Sequence, residues 1–305
     1  MIEGQAGLNW PRWKRLAQAA EEMGYAGLFR SDHFTTPSGP LMDALELWAS
    51  FTYLATATTR IEFGALVSPI GWRHPVIAAW SASAIDDLSG GRFRLGLGAG
   101  WQEREHRNYG FDLLESLDER FARLDEALNV VTHLFNSDEP FDLPGDYFPI
   151  HEGLLLPRPA RPGGPPIVVG GNGPKRTLPL VAKYADEWNG VLTTPEIYKE
   201  RSARLDELLA ANGRKPESLK RTLMHRVVIG NTEKEAIEKV ARSPFGATDV
   251  ETLRARASIV GDPGQVAAGF HAFAEAGAER IQMQWLDLDD IDGLELLATK
   301  VLPQL

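Results

Sequence analysis

Residues 92–101, with the sequence RFRLGLGAGW, alternate apolar side chains with glycine and end on tryptophan. The stretch has the pattern of a short strand with one apolar face, and Gly96 and Gly98 leave its other face without side chains. Another group can lie against such a bare backbone, and that group is either packed protein or a flat ligand. Barrel interiors also use glycine to make room for neighbours. The stretch by itself therefore leaves both alternatives open.

Strands and helices alternate outward from this stretch along the chain. Apolar runs predict strands over residues 26–29, 61–67, 93–98, 167–169, 187–192, 223–229 and 280–285. Helical periodicity and capping residues predict helices over residues 10–23, 42–57, 75–88, 117–135, 175–184, 195–212, 262–276 and 290–301, with a further helix capped by Thr232. Strict alternation predicts a parallel sheet. At this length we expect a closed (β/α)8 TIM barrel that takes up residues 1–305 as a single domain.

Two irregular insertions and a short first strand depart from a regular barrel. The insertions span about residues 136–166 and 243–258, and the first is rich in proline and glycine. Long irregular segments are often functional, so we expect the substrate to bind beneath the first insertion. The first strand must lie in residues 1–5, short or truncated beside a usual strand of about 5–6 residues. If the chain begins inside that strand, the bottom of the barrel beside Met1 should be incompletely covered.

Composition excludes several classes of protein. The chain has 305 residues, no cysteine and a net charge of −10. Without cysteine there are no disulfides and no thiolate chemistry, which fits a reducing cytoplasm. The negative charge argues against a nucleic-acid partner, no apolar run is long enough to cross a membrane, and we expect no secretory signal. The histidines show no metal-binding spacing, so we expect no metal site.

The residue best suited to proton chemistry follows the second predicted strand. In a (β/α)8 barrel the active site lies at the carboxyl ends of the strands, and His33 occupies such a position. Asp32 beside it could hold the imidazole by a hydrogen bond, or could simply form a structural pair with it. The position at a strand end makes His33 the candidate catalytic residue.

A glycine turn follows the fifth predicted strand, at residues 170–173. Free backbone amides at the start of the next helix attract anions, and Lys175 and Arg176 add positive charge there. The alternative is an ordinary glycine-rich turn followed by two solvated cations. Because barrels often bind phosphate after their later strands, we favour an anion site.

Two other motifs do not fit their usual context. The glycines of residues 96–100 resemble a dinucleotide-binding fingerprint, but Trp101 stands where its third glycine should be and no acidic ribose ligand follows. The acidic pairs at residues 86–87 and 289–290 are explained by helix ends and loops better than by a glycosidase pair. A barrel hydrolase would need two facing carboxylates, which the sequence does not place.

Several groups of residues together match one known family. They are Glu22, Gly24 and Tyr25 before Ser31-Asp32-His33; Arg92-Phe93-x-Leu95-Gly96-x-Gly98-x-Gly100-Trp101 before Glu105 and Gly110; Pro157-Arg158-Pro159 before Pro166-Ile167; Gly170-Gly171-x-Gly173; Ala185-Asp186-x-Trp188-Asn189; and Gly261-Asp262-Pro263 before Gly277-Ala278-x-Arg280. With these motifs the chain resembles, over nearly its whole length, the bacterial luciferase-like flavin and deazaflavin oxidoreductases.

The resemblance implies a barrel that holds an isoalloxazine-type ring across the carboxyl ends of its strands. A bulge after the third strand, often with a non-proline cis peptide, would back the ring, here between Ala65 and Leu66. The residues implied around the ring are His33, Ala65, Leu66, Gly98, Gly100 and Trp101. The residues implied around the phosphate, in the turn that begins at Gly170, are Gly171, Asn172, Gly173, Lys175 and Arg176.

The resemblance also implies the cofactor and the reaction. The motifs are more similar to those of members that use the deazaflavin coenzyme F420, which transfers hydride and does not activate oxygen. FMN, which would make the protein a monooxygenase, is the alternative. We expect His33 to donate or accept the proton that accompanies hydride movement. Some deazaflavin members have a carboxylate where this chain has Trp101, so a sugar-phosphate dehydrogenase of that type is not expected.

Two further expectations concern function class and partners. A flavin-binding or storage barrel without turnover would fit the anion turn equally well, but it would not need His33 at the ring. The expected partner of the enzyme is a small-molecule substrate. Relatives pair through helices corresponding to residues 42–57 and 75–88, so a homodimer is expected.

Overall fold

The computed structural model describes residues 1–242 and 249–305. Its strands are β1 Gly27–Arg30, β2 Glu62–Ala65, β3 Ser68–Pro69, β4 Phe93–Gly98, β5 Phe141–Leu143, β6 Ile150–Gly153, β7 Ile167–Gly170, β8 Glu187–Val191, β9 Lys220–Ile229, β10 Ile259–Gly261 and β11 Arg280–Gln284. Its helices are α1 Trp10–Glu22, α2 Leu47–Ala57, α3 Pro75–Ser89, α4 Glu103–Tyr109, α5 Leu117–Asn136, α6 Thr177–Tyr184, α7 Pro195–Ala211, α8 Glu233–Arg242, α9 Val250–Ala255, α10 Pro263–Glu275 and α11 Ile291–Leu296. A π-helical segment, Leu297–Val301, continues α11.

The main sheet is parallel and confirms the predicted barrel. Neighbouring strands follow the order β1, β2, β4, β7, β8 and β9, and β11 pairs with β9. Ile2 bridges the two edges by pairing with Arg30 and with Trp285, and its amide donates to the carbonyl of Phe29 (2.8 Å). The predicted first strand is therefore reduced to a single bridging residue, which closes the sheet into a barrel.

The first strand begins part of the way up the barrel wall. The amino group of Met1 donates to the carbonyl of Met283 (2.7 Å), in the fourth of the five residues of β11. Below this level charged side chains lie between the strands: Glu62 accepts from Arg94 (2.6 Å) and from Arg280. The side chain of Glu62 remains 30% exposed, so these side chains cover the barrel bottom only in part, as expected.

Several boundaries differ from the predictions for tertiary reasons. The helix predicted from residue 42 begins at Leu47, because Ala44 pairs with Leu8 and Glu46 caps the helix by accepting from the amide of Ala49 (2.8 Å). The strand predicted over residues 61–67 ends at Ala65, and a bulge at residues 66–67 separates it from β3. The short helix α4 was not predicted.

The first insertion, residues 136–166, forms the hairpin β5–β6 outside the barrel. Arg158 donates to carbonyls at the end of α5 (2.7 and 2.8 Å), and Arg161 forms an ion pair with Asp86 near the end of α3 (3.1 Å). Helices run antiparallel to the strands of such a barrel, so these helix ends lie opposite the carboxyl ends of the strands. Phe148 of the same insertion reaches His74 at the start of α3 (ring centroids 5.1 Å apart), so the insertion extends along the outside of the barrel toward the carboxyl ends of the strands, and its covering of the substrate stays a prediction.

The second insertion lies partly outside the described residues, because residues 243–248 are not described. Its remaining part contains α9 and leads into β10. Residues 227–229 of β9 extend beyond the pairing with β11 and pair with β10 instead. This part of the insertion accordingly stands at the carboxyl end of the barrel, where an active site is expected. Among the described residues no helix is long and apolar enough to cross a membrane.

Candidate active site

The bare face of β4 is filled by protein. A Cβ atom at Gly96 would overlap the carbonyl oxygen of Ala65, and one at Gly98 would come within 2.6 Å of the Val67 side chain. The half-buried Val67 also lies near Gly170, where an added Cβ would be 3.3 Å away. The glycines therefore make room for the bulge between β2 and β3. Of the two alternatives that the sequence left open, the group that lies against the bare face of β4 is packed protein.

The bulge contains a non-proline cis peptide, one residue later than expected. The cis bond joins Leu66 to Val67, whereas we expected it between Ala65 and Leu66. Ala65 still pairs with Arg30 as the last residue of β2 and is fully buried. Leu66 packs into the barrel interior. Because the Ala65 side chain is fully buried, Ala65 could contact a ligand at the mouth only through its backbone.

His33 is held by a carboxylate of α4, the helix that follows β4. Its Nδ1 lies 2.6 Å from Oε1 of Glu105, and Oε2 of Glu105 accepts from the amide of Phe34 (2.9 Å). Glu105 is fully buried, and the side chain of His33 is only 10% exposed. Since Nδ1 is engaged, Nε2 is the ring nitrogen left for a ligand, and it hydrogen-bonds to no described residue.

The charge of this pair follows from its surroundings. Burial by itself lowers the pKa of His33, but the hydrogen bond and the negative charge of Glu105 outweigh burial. The pKa of His33 therefore lies above its ordinary value, which favours the protonated imidazole. A buried carboxylate that orients an imidazole is an arrangement suited to general acid–base chemistry.

Asp32 does not hold His33, contrary to one expectation. It accepts from the hydroxyl of Ser68 (2.5 Å) and from Nε and Nη2 of Arg73 (both 2.9 Å). Arg73 also reaches Glu46 (2.8 Å) at the start of α2. The buried Asp32 thus connects β1, the bulge and the loop after β3, and its role is structural.

An aromatic wall surrounds the exposed edge of His33. The ring centroids of Trp101 and Trp72 lie 5.7 and 6.4 Å from that of His33. Trp101 is 59% exposed, whereas Trp72 is half-buried and packs against Phe34 (5.6 Å). Gly100, with a φ of 82°, turns the chain between β4 and this wall. Such a wall offers an apolar surface to a substrate beside His33.

The turn after β7 keeps amides free but uses some of the predicted ligands internally. The side chain of Asn172 donates to the carbonyl of Val191 (2.5 Å) and accepts from its amide (2.9 Å). Arg176 pairs with Asp118 (2.5 Å), whereas Lys175 is exposed. Within residues 1–242 and 249–305, the turn amides that donate to no carbonyl are those of Asn172, Gly173, Lys175 and Arg176. These amides and Lys175 fit a phosphate better than the Asn172 and Arg176 side chains do.

The structure brings together three of the predicted regions and adds two residues. His33, the Gly100–Trp101 segment and the bulge meet at the mouth of the barrel. Glu105 belonged to the family pattern but had no assigned role, because its partner His33 is 72 residues away in the sequence. No local signal could have paired them. Trp72 was likewise missed, since it lies in an irregular loop after β3. Among the described residues, no group of three or more His, Cys, Asp or Glu could hold a metal ion.

Comparisons with known proteins concern the family and the fold of the chain. The family described as luciferase-like monooxygenase matches residues 2–254. The F420-dependent hydroxymycolic acid dehydrogenase of Mycobacterium tuberculosis is 29% identical, with 95% of this chain and 83% of that protein covered. An FMNH(2)-dependent dimethylsulfone monooxygenase from Pseudomonas putida is 27% identical over 73% of this chain, and the chain spans 59% of its length.

A solved structure shares the whole fold. The F420-dependent secondary alcohol dehydrogenase in complex with an F420-acetone adduct matches with a TM-score of 0.83 at 20% identity, covering 100% of this chain and 98% of that chain. Because the sequence identity is low, this similarity concerns the fold, and it supports the eight-fold barrel.

Proposed function

Because this chain belongs to the luciferase-like monooxygenase family, we propose that it is an F420-dependent oxidoreductase that interconverts a carbonyl and an alcohol on a small organic substrate. The observation that carries the proposal is the pair of His33 and the buried Glu105 at the mouth of the barrel (2.6 Å). A barrel that only stored a flavin would not need an oriented imidazole beside the cleft. The similarity to an F420-dependent dehydrogenase supports the choice of coenzyme.

The residues at the mouth fit a ring with a phosphate-bearing side chain. We propose that the ring lies against the Leu66–Val67 bulge and the backbone of Gly100, and that Gly98 supports the ring from behind by making room for Val67. The phosphate would accept hydrogen bonds from the free amides at Gly173 and Lys175, where the exposed ammonium adds a positive charge. Gly171, with a φ of 121°, allows the turn that presents these amides.

The bound deazaflavin would supply or accept a hydride, a two-electron change that matches the interconversion of a carbonyl and an alcohol. His33 handles the accompanying proton at Nε2. In reduction this atom gives its proton to the carbonyl oxygen, and in oxidation it takes the proton of the hydroxyl group. Glu105 keeps the ring oriented and stabilises the protonated form. Trp72 and Trp101 would line this side of the cleft.

The second candidate is an FMN-dependent monooxygenase. It is supported by the similarity to the dimethylsulfone monooxygenase. The barrel, the bulge and the free amides would serve FMN as well as F420, because both carry a tricyclic ring and a phosphate. The two candidates differ in their need for oxygen.

The proposal is tested by titrating the purified protein with F420 and with FMN and measuring both dissociation constants. Reduced coenzyme is then mixed with ketones, and oxidised coenzyme with secondary alcohols, with and without oxygen. We expect tighter binding of F420 and oxygen-independent turnover that follows its absorbance. Consumption of reduced FMN only in the presence of oxygen and substrate would establish the monooxygenase instead. Binding without turnover of any substrate would favour the storage protein.

The assembly, the domain organisation and the location stay predictions. We propose a homodimer through α2 and α3, because α3 exposes Ile77 (62%) and Leu88 (52%) on its outer face. Sedimentation equilibrium would test this state. We also propose that residues 1–305 act as one domain and that the protein is cytoplasmic, which the cysteine-free sequence suggests. Limited proteolysis and cell fractionation would test these two points.

A further inference from the structure

An arginine points into the barrel at its mouth, on the side of β9 and β11. Side chains alternate along a strand, so Thr222, Met224 and Arg226 face the same side of β9. Met224 packs in the barrel interior with Phe29 and Val168. Arg226 is therefore inward-facing and lies one layer closer to the mouth. It pairs in register with Gln284, the last residue of β11.

The contacts of Arg226 leave much of its guanidinium group available. Nε donates to Oε1 of Gln284 (3.4 Å), and Nε2 of Gln284 donates to Oε1 of Glu3 (2.7 Å). The other oxygen of Glu3 accepts from the side chain of Gln5 (2.9 Å). Within residues 1–242 and 249–305, Nη1 and Nη2 of Arg226 form no hydrogen bond and no ion pair. These two nitrogens are the ones that would bind a carboxylate side by side.

The surroundings favour an incoming anion. Arg226 is half-buried, and burial lowers its pKa; the charge of Glu3 opposes this and the charge of Arg256 adds to it. An arginine stays protonated despite such a shift. Arg226 is thus a partly desolvated cation with a second cation nearby, and its closest carboxylate, Glu3, already accepts from two amide groups. A negatively charged ligand would compensate this charge.

The arginine shares the mouth with His33. Residues 3–5 run beside the end of β1, where the hydroxyl of Ser31 donates to Gln5 (2.8 Å) and accepts from the amide of Gly4 (3.0 Å). The charge of Glu3 acts on both His33 and Arg226. Glu3 therefore lies close enough to both residues to act on their charges, which agrees with a position of Arg226 and His33 at the same mouth of the barrel.

We propose that Arg226, oriented by Gln284, binds the carboxylate of the substrate and makes the enzyme selective for oxo acids and hydroxy acids over neutral ketones and alcohols. The proposal rests on the proposed function for the position of the reacting carbon beside His33. The anion site itself does not depend on that reaction, because Arg226 and Gln284 take no part in the proposed proton transfer.

The test compares acids with their methyl esters in binding to the coenzyme-free protein. The probes are 4-oxopentanoate, 5-oxohexanoate and 6-oxoheptanoate, a series that varies the distance from carbonyl to carboxylate, and isothermal titration measures each dissociation constant. For the acid of matching length we expect binding about tenfold tighter than for its ester, the usual effect of a charge-assisted pair. In Arg226→Gln this preference should disappear.

Two further variants complete the test. Arg204→Gln removes a surface arginine of α7 that pairs with Glu207, and the preference should persist in it. Arg226→Lys keeps the positive charge without the planar guanidinium group, so it should retain part of the preference for the acid. It replaces Arg226→Gln in the test if that variant does not fold. Equal affinity for acid and ester in the unmodified protein, or a preference that survives in Arg226→Gln, would overturn the proposal.

Turnover separates this inference from the proposed function. Acid-selective binding lost in Arg226→Gln, without any F420-dependent reaction, would leave the anion site intact and refute the proposed function. F420-dependent turnover of acids and esters with equal affinities would support the function and refute the anion site.

Discussion

At the scale of single residues, His33 has one nitrogen engaged and one available. Replacement by asparagine preserves a hydrogen-bonding group near Glu105 but removes the titrating imidazole. We expect the kcat of His33→Asn to fall by about 100-fold or more, the usual contribution of general acid–base catalysis, while the Kd for F420 stays close to its original value. Stopped-flow kinetics and fluorescence titration measure the two quantities.

The matched control for this prediction is His151→Asn, because His151 is 87% exposed on β6. That variant should behave like the unmodified protein. Unchanged turnover in His33→Asn would remove His33 from the chemistry.

Glu105 acts on His33 through its charge, which gives a prediction about pH. In the unmodified protein the pKa of His33 is raised above its ordinary value. The reduction rate, which needs protonated His33, should therefore fall as the pH rises through that raised pKa, and the oxidation rate should rise. In Glu105→Gln burial remains without the opposing charge, so the midpoint of both pH profiles should move to lower pH.

The comparison is Glu103→Gln, which removes an exposed carboxylate from the same helix. Its pH profile should not move. A profile of Glu105→Gln that coincides with that of the unmodified protein would show that Glu105 does not set the protonation of His33.

At the scale of elements, β4 and the bulge form one packed unit. Gly96 faces the carbonyl of Ala65, which belongs to the backbone of β2 and cannot rotate away. Gly96→Ala should lower the free energy of unfolding by about 1–3 kcal/mol or more, as overpacking does, and should weaken coenzyme binding by displacing the bulge. Urea unfolding and the F420 titration check both effects.

A second glycine supplies the contrast. Gly264 lies in the first turn of α10, and a Cβ there would be 3.4 Å from its nearest neighbour, Asp262. Gly264→Ala should leave stability unchanged or raise it by about 0.5–1 kcal/mol, because alanine is the better helix former. A Gly96→Ala protein as stable as the original would mean that the bulge is not confined by β4.

At the scale of the whole molecule, charges close the barrel below the short first strand. Glu62 of β2 accepts from Arg94 of β4 (2.6 Å) and from Arg280 of β11, so one carboxylate connects three strands. Burial by itself raises the pKa of Glu62, but the two arginines outweigh burial and lower it to about 2. The Glu62 carboxylate is therefore ionised throughout the physiological pH range.

Replacing this carboxylate should affect the stability of the entire barrel. We expect Glu62→Gln to lower the free energy of unfolding by about 1–3 kcal/mol. Partial burial strengthens the ion pairs of Glu62 above those of a surface pair, whereas its remaining exposure lets solvent screen them. Because the pKa is lowered in the folded state, this stabilisation is present above the ordinary value of 4.5 and is lost as the pH falls toward 2. The variant should lack that part of the acid dependence.

Thermal unfolding between pH 7 and pH 2 measures the effect. Glu207→Gln, at the exposed pair with Arg204, should change stability little. Equal unfolding temperatures of Glu62→Gln and the unmodified protein across this range would show that closure does not depend on the ion pairs.

Much of the barrel is determined by local sequence. The strand over Phe93–Gly98 has the predicted bounds, and α3 and α5 each differ from prediction by one residue at the end, because apolar periodicity and capping residues act within a few positions of each other. His33 and the turn at residues 170–173 could be found in the same way, since each directly follows a strand. Family membership is also visible in these motifs.

Tertiary structure decided the contacts between distant segments. Local sequence does not specify that Glu105 holds His33, that Arg73 binds Asp32, or that the bulge fills the bare face of β4, because each contact joins different strands or loops. Barrel closure brings these segments together, and the free nitrogens of Arg226 become recognisable only then. The glycines of residues 92–101 show the division clearly: the sequence determined that space was available, and the fold determined what occupies it.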